Sequence, residues 1–234
     1  MKILVLGGTH GNEQLGIKLV KLLKKSPIDG VDPIIANPRA VKAATRFTES
    51  DLNRSFGETY VGTYETKRAA KLKKLAAGYD VVLDFHNTQT PNNNCGFVGV
   101  GCDPRLYGVA KAVGFSMCVE ATYDCVNKYC LNTISIEISV GDALDDPEIW
   151  YEKIAALSSE KLPVPKRPLR LYRFSRRVSW EEKTALGLEG WQPFQRISAS
   201  EARNLGVKRQ TVPIFIGSRF TSEYATLLSI ERSV

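Results

Sequence analysis

The sequence predicts an α/β protein whose first part is a three-layer domain around a mostly parallel or mixed sheet, followed by a small, mainly β carboxyl-terminal domain. Three observations carry this expectation. Short apolar runs alternate with amphipathic stretches across residues 1–162. The run Val81–Phe85 is nearly all apolar, as a central parallel strand covered on both faces requires. Beyond Leu162 the chain turns proline-rich and basic, with Pro163, Pro165 and Pro168 excluding a helix interior, so the domains are expected at 1–162 and 163–234.

The elements follow in order. Ile3–Leu6 reads as a buried strand, and Gln14–Lys25 as an amphipathic helix with Leu15, Leu19, Leu22 and Leu23 on one face. Ser26, Pro27 and Gly30 end it. A strand over Val31–Ala36, a short helix over Arg39–Ala44 and a longer one over Tyr64–Leu75 come next. After Val81–Phe85, Asp103–Val113 is helical in pattern, and Ser116–Glu120 is a strand. Alternation in Thr133–Val140 sets Ile134, Ile136 and Ile138 on one face and Glu137 on the other. A helix over Asp146–Leu162 closes the first domain. Leu169–Phe174 and Val212–Ile216 are the strands expected of the second, with turns over Leu186–Gly190.

Composition narrows the classes. A chain of 234 residues can bury one substantial core and carry a smaller unit beside it. No apolar run approaches the roughly 20 residues of a membrane span, and the first strand runs directly into glycines without a signal-peptide core, so the expected location is cytoplasmic. Five cysteines, Cys95, Cys102, Cys118, Cys125 and Cys130, include no CxxC pair, and their odd number points to reduced thiols. The net charge of +7 fits an anionic small substrate. Nucleic acid is not the expected partner, because no basic run is interleaved with aromatics.

The chain has only two histidines, and each follows or ends an apolar strand. His10 lies in KILVLGGTHGNE with Glu13 three residues on, and His86 ends YDVVLDFH. Ligands of α/β sheets gather outside the carboxyl ends of strands, so these three residues can face one metal. The same spacing also suits ordinary polar residues at strand ends, with Glu13 as a favourable charge in a first helical turn. Glu137 adds to the metal reading: a carboxylate in an apolar run is costly unless paired, protonated or used, and beside zinc it would be a general base. A buried salt bridge explains it equally well. Asp84, two residues before His86, could orient an imidazole. Arg46 and the cluster DLNRSF (Asp51–Phe56) offer guanidinium groups suited to a carboxylate or an oxyanion, or simply to solvent.

Taken in order, GGTHGNE, NPRAVKAATRF, DLNRSF, LDFHNT and SIE resemble the aspartoacylase and succinylglutamate desuccinylase family, of zinc carboxypeptidase-like fold, and fit its aspartoacylase branch better. The resemblance implies one zinc ion per chain held by His10, Glu13 and His86, with Glu137 as catalytic base and acid and Arg46 polarising the scissile carbonyl. It places Asn53, Arg54, Tyr123 and Asn87 on the substrate side. The activity it implies is hydrolysis of an acidic N-acyl amino acid such as N-acetyl-L-aspartate. A deacylase or desuccinylase of another N-acyl amino acid is the alternative, and a non-catalytic metal- or nucleic-acid-binding protein is the rival class. A homodimer is the default assembly.

Several positions depart from the family pattern. Asn127 stands where an arginine for the substrate side chain is expected, with Lys128 beside it as a replacement charge. A late pocket tyrosine has no clean match, Tyr224 being offset. The chain is also short for the family, with a trimmed second domain that implies a wider range of acyl groups.

Overall fold

The computed structural model describes residues 1–159, 167–208, 210–217 and 223–233. The first strand, β1 (Ile3–Gly7), is fully buried, and its alternation sends Ile3 and Val5 to one core and Leu4 and Leu6 to another. Parallel neighbours flank it: β2 (Val31–Ile35) at the sheet edge and β3 (Val81–Thr88) inward. Beyond β3 lies β6 (Thr133–Ser139), also parallel, followed by β4 (Cys95–Gly99), which runs antiparallel to β6. The sheet continues through β5 (Met117–Ala121), β7 (Arg170–Ser179), β9 (Glu223–Ser233) and β8 (Val212–Ile214), in the order β2-β1-β3-β6-β4-β5-β7-β9-β8.

Helices cover both faces of the amino-terminal strands. On one face α1 (Gln14–Lys25), α4 (Arg105–Val113) and α6 (Pro147–Ser158) pack on Ile3, Val5, Phe85 and the isoleucines of β6. On the other, α3 (Tyr64–Ala76) and the single turn α5 (Val126–Tyr129) cover Leu4, Leu6 and Val82. A short α2 (Pro38–Ala43) is capped by the Asn37 side chain, which accepts from Ala40 N at 3.2 Å. The expected three-layer α/β class is what the chain forms, and most expected elements fall within a residue or two of their predicted bounds.

The differences are local. β4 was not expected, because its sequence CGFVG carries two glycines. At Gly96 a side chain would press on Ile134 Cδ1 at 2.9 Å and Cys118 Sγ at 3.0 Å, so the crowded sheet interior itself calls for glycine. β3 runs three residues past Phe85, which keeps His86 inside the strand. Two helices, α7 (Trp180–Leu186) and α8 (Ala199–Asn204), interrupt the expected strands of the carboxyl-terminal part, each opened by a Ser-x-x-Glu capping box. Most of the predicted proline connector, with the boundary at Leu162, lies outside the described residues; the strands after it extend the same sheet through the β5–β7 pairing.

Trp150 fastens α6 to the sheet. It is fully buried, meets Phe85 edge-on at 5.0 Å, and donates its indole N–H to Leu144 O at 2.7 Å. Trp150→Ala is expected to cost about 3–5 kcal/mol, the usual range for deleting a buried aromatic. A denaturant midpoint unchanged from wild type would contradict this packing account.

Candidate metal centre and active site

Parallel pairing of β1, β3 and β6 brings their carboxyl ends to one side of the sheet. His10 sits three residues past the end of β1, in a loop that must pass hard against α2. At Gly11 a β-carbon would fall 2.1 Å from the Ala40 carbonyl carbon, so this position needs glycine. Glu13 immediately precedes α1, and its backbone N–H donates to His10 O at 3.2 Å, turning both side chains to one place. His86 and Glu137 are direct register partners on β3 and β6. Side-chain alternation on parallel strands therefore puts them on one face.

His10, Glu13 and His86 converge, with ligand atoms all within 4.8 Å of one another. His10 Nδ1 is 2.7 Å from Glu13 Oε1, His86 Nδ1 is 2.9 Å from Glu13 Oε2, and the two Nδ1 atoms are 3.3 Å apart. The opposite ring nitrogens meet carboxylates: His86 Nε2 lies 2.8 Å from Asp84 Oδ2, and His10 Nε2 3.2 Å from Asp51 Oδ1. A carboxylate only accepts, so each Nε2 carries the hydrogen. A neutral ring then presents its Nδ1 lone pair to Glu13. Three electron-rich atoms turned towards one another in a buried site need positive charge between them, either protons or a metal ion. Two imidazoles and one carboxylate, with carboxylates behind the imidazoles, are a donor set suited to zinc.

The electrostatics report the same demand for a cation. Burial disfavours charge on His86, but the Asp84 and Glu13 carboxylates outweigh it and hold the ring well above its ordinary pKa. His10 is raised too, against its burial, mainly by Glu13 and Asp51. Glu13, despite burial, is held well below the usual carboxylate range by the two histidines. Glu137 behaves differently. Burial pushes its carboxyl up to about 7, with Glu13 adding to the rise while His86 and His10 oppose it.

These residues open into a cavity of about 710 Å³. Arg46 lines it, as do Asn53, Arg54, Tyr123 and Asn87 of the expected substrate-side residues. Arg46 is gripped by Asp51, with Nε and Nη2 donating to Oδ2 at 3.2 and 3.1 Å, and its Nη1 approaches Glu13 Oε1 at 3.8 Å. Asn53 accepts from Val126 N at 3.0 Å. Arg54 donates weakly to the Asp124 carbonyl at 3.4 Å, and its guanidinium lies over the Tyr123 ring at 4.7 Å.

Four of the positions singled out in the sequence are engaged elsewhere. Asn87 lines the cavity, but its amide is used internally: Oδ1 accepts from Leu15 N, and Nδ2 donates to Asp145 Oδ1 and Ile138 O. Lys128 does not line the cavity; it is exposed, on the far side of the α5 turn, and pairs with Asp124 at 2.8 Å. Tyr224 also turns away, packing between Trp180 and Trp191, because strand alternation gives the cavity its neighbours Glu223 and Ala225 instead. Asn127 is buried, donating to Phe97 O and Thr133 O and accepting from Ser135 Oγ, so it offers a ligand neither charge nor a spare donor pair. Sequence reasoning gave no role to Asp51, although its place in DLNRSF was visible, nor to the ring of Phe215, stacked on Phe97 at 5.8 Å in the cavity wall.

Solved structures share this architecture. Murine aminoacylase 3 superposes over 100% of this chain and 97% of its own, with a TM-score of 0.72 at 21% identity. The succinylglutamate desuccinylase of Chromobacterium violaceum gives 0.71 at 17% identity, over 99% of this chain and 85% of its own. The fold is thus of the zinc carboxypeptidase-like class. Residues 1–125 match the succinylglutamate desuccinylase/aspartoacylase catalytic domain, and the chain belongs to that family. Among curated relatives, the N-acyl-aromatic-L-amino acid amidohydrolase (carboxylate-forming) of Rattus norvegicus is 34% identical over 114 residues, covering 41% of this chain. Aspartoacylase from the same organism is 39% identical over 113 residues, covering 40%. Each alignment spans 36% of the relative's own length.

If the three converging side chains form a metal centre, His86→Ala should abolish stoichiometric zinc binding. Asp84→Asn should weaken it by about 10–100-fold, since the carboxylate fixes the ring and its tautomer. Titration of metal-free protein with zinc measures both, and wild-type affinity in the alanine variant would remove His86 from the ligand set.

Proposed function

We propose that this chain is a zinc-dependent amidohydrolase of N-acyl amino acids, acting through His10, Glu13 and His86 as metal ligands and Glu137 as base and acid. The observation that carries this reading is the register pairing of His86 with Glu137, which sets a near-neutral carboxyl beside a buried set of two imidazoles and a carboxylate. Zinc bound there supplies Lewis acidity, which makes water a nucleophile near neutral pH and polarises a carbonyl.

The chain's own residues do the rest. Glu137, raised to about 7, can take a proton from the attacking water and return it to the leaving nitrogen. Arg46, held by Asp51 at the rim of the ligand cluster, meets the carbonyl oxygen as negative charge develops on it. Arg54 and Asn53 anchor the carboxylate of the amino-acid part, converting binding of a remote group into alignment of the scissile bond. The carboxyl-terminal strands supply one wall through Phe174, Arg177 and Leu228, and we assign to this part the selection of substrates.

The resemblance implies an acidic side chain, as in N-acetyl-L-aspartate, but a specific set of contacts favours an apolar one. Asn127 is committed internally, Lys128 lies outside the cavity, and Arg177 is paired with Glu223. The wall holding Phe97, Val119, Phe215 and Leu228 is apolar. The curated relatives include enzymes named for each kind of substrate.

A panel of N-acetyl-phenylalanine, N-acetyl-aspartate and N-succinyl-glutamate on zinc-loaded protein separates these readings. The expected order of kcat/KM puts the aromatic substrate first, and a tenfold advantage for the aspartate derivative would overturn that preference. Glu137→Gln should keep zinc and lose at least about 100-fold in kcat, the low end of general acid–base contributions. Full activity in that variant would sink the assignment of the base.

A further inference from the structure

Glu65 lies on the first turn of α3, fully buried, and lines no part of the cavity. Its carboxylate nevertheless gathers four donors from the segment 48–50 and one from Asn37. Oε1 accepts from Thr48 Oγ1 at 2.6 Å, Thr48 N at 2.9 Å and Asn37 Nδ2 at 3.3 Å. Oε2 accepts from Ser50 N at 3.2 Å and Glu49 N at 3.3 Å. Successive backbone N–H groups stabilise a buried carboxylate, and in return the carboxylate fixes the path of that backbone.

The path so fixed leads straight into the site. Ser50 precedes Asp51, and its hydroxyl meets Ser55 Oγ at 3.1 Å and Thr63 Oγ1 at 2.7 Å; Thr63 is the residue that caps α3. Residues 48–50 are therefore tied to the start of α3, and Ser55 is tied back to Ser50 and to Asp51 O. On the 48–55 turn ride Asp51, which holds His10 Nε2 and Arg46, and then Asn53 and Arg54. Asn37, the fifth partner, caps α2 and so helps place the stretch that leads to Arg46.

We propose that Glu65 is a positioning residue of the active site. It holds the 48–55 turn where Asp51 can orient His10 and where Arg54 can anchor the substrate carboxylate, so metal retention and substrate binding both depend on a side chain that touches neither. The proposal rests on the zinc and Arg54 assignments made above. A purely structural Glu65 would predict a loss of stability alone.

Glu65→Gln keeps the shape but turns one acceptor into a donor facing other donors. Four quantities are measured on zinc-loaded protein: the rate of zinc release to a chelator, KM and kcat on the best substrate of the panel, and the thermal midpoint. Zinc release is expected to quicken by about 10–100-fold, as for other changes behind a metal ligand. KM should rise by a larger factor than kcat falls, because the carboxylate anchor shifts while Glu137 does not. A lower midpoint with zinc release and KM unchanged overturns the proposal. Should E65Q fail to fold, Thr48→Val removes the 2.6 Å bond and spares the carboxylate. The same changes are expected there, smaller in size, and wild-type zinc release in that variant is equally fatal. A wild-type protein that binds zinc but cleaves no N-acyl amino acid refutes the hydrolase reading, while zinc release still decides the role of Glu65. A wild-type protein that binds no zinc overturns both.

Discussion

Three electron-rich atoms facing one another organise this molecule. The Nδ1 atoms of His10 and His86 and the carboxylate of Glu13 can share a buried space only around positive charge, and carboxylates behind the rings leave the histidines no other orientation. Asp84 is placed by β3 itself, two residues before His86, and is steadied by Thr9 Oγ1 at 2.7 Å. Asp51 arrives from a separate turn. The arrangement therefore joins β1, β3 and the 48–55 turn through side chains that are worth more together than apart.

The sheet explains why this cluster is affordable. Ile134, Ile136 and Ile138 are fully buried on one face of β6, so the strand is anchored by apolar packing while Glu137 projects to the other face. Phe85, one residue before His86, enters the same apolar layer and meets Trp150. Strand alternation thus separates the apolar packing residues from the polar cluster by a single position, and the cost of gathering charged groups falls on elements that are otherwise firmly packed.

Much of this was legible in the sequence because it rests on period and spacing. β1, α1 and β6 announce themselves by clean alternation or by a 3.6-residue stripe, and the two histidines follow apolar runs that lead to the side where an α/β sheet collects its ligands. What was hidden depends on contacts between distant segments. The glycines of β4 look like loop residues until the crowding by Ile134 and Cys118 is known. The helices α7 and α8 did carry a readable signal in their capping boxes, but each is too short for periodicity to show. Lys128 looked like a replacement charge by adjacency, yet a one-turn helix points neighbouring side chains in different directions, so Asn127 faces inward and Lys128 outward.

The polar and apolar sides of the cavity draw on overlapping stretches of the chain. The polar side lies between His10 and Glu137, and His10, Glu13, His86, Asp51 and Arg46 are linked by hydrogen bonds, so a change at one disturbs several. The wall opposite combines Phe97, which comes from β4, with Phe215, which follows β8, and Leu228 of β9. Phe215 occupies a left-handed conformation with φ of 53°, its N–H held by Asn93 Oδ1 at 2.9 Å, and a non-glycine residue adopts that conformation only where its surroundings enforce it. The aromatic wall is thus a fixed surface rather than a chance exposure of ring. The cavity thus sets His10, Glu13, Arg46 and Arg54 against an apolar wall, and the wall can change without disturbing the hydrogen bonds of the polar side.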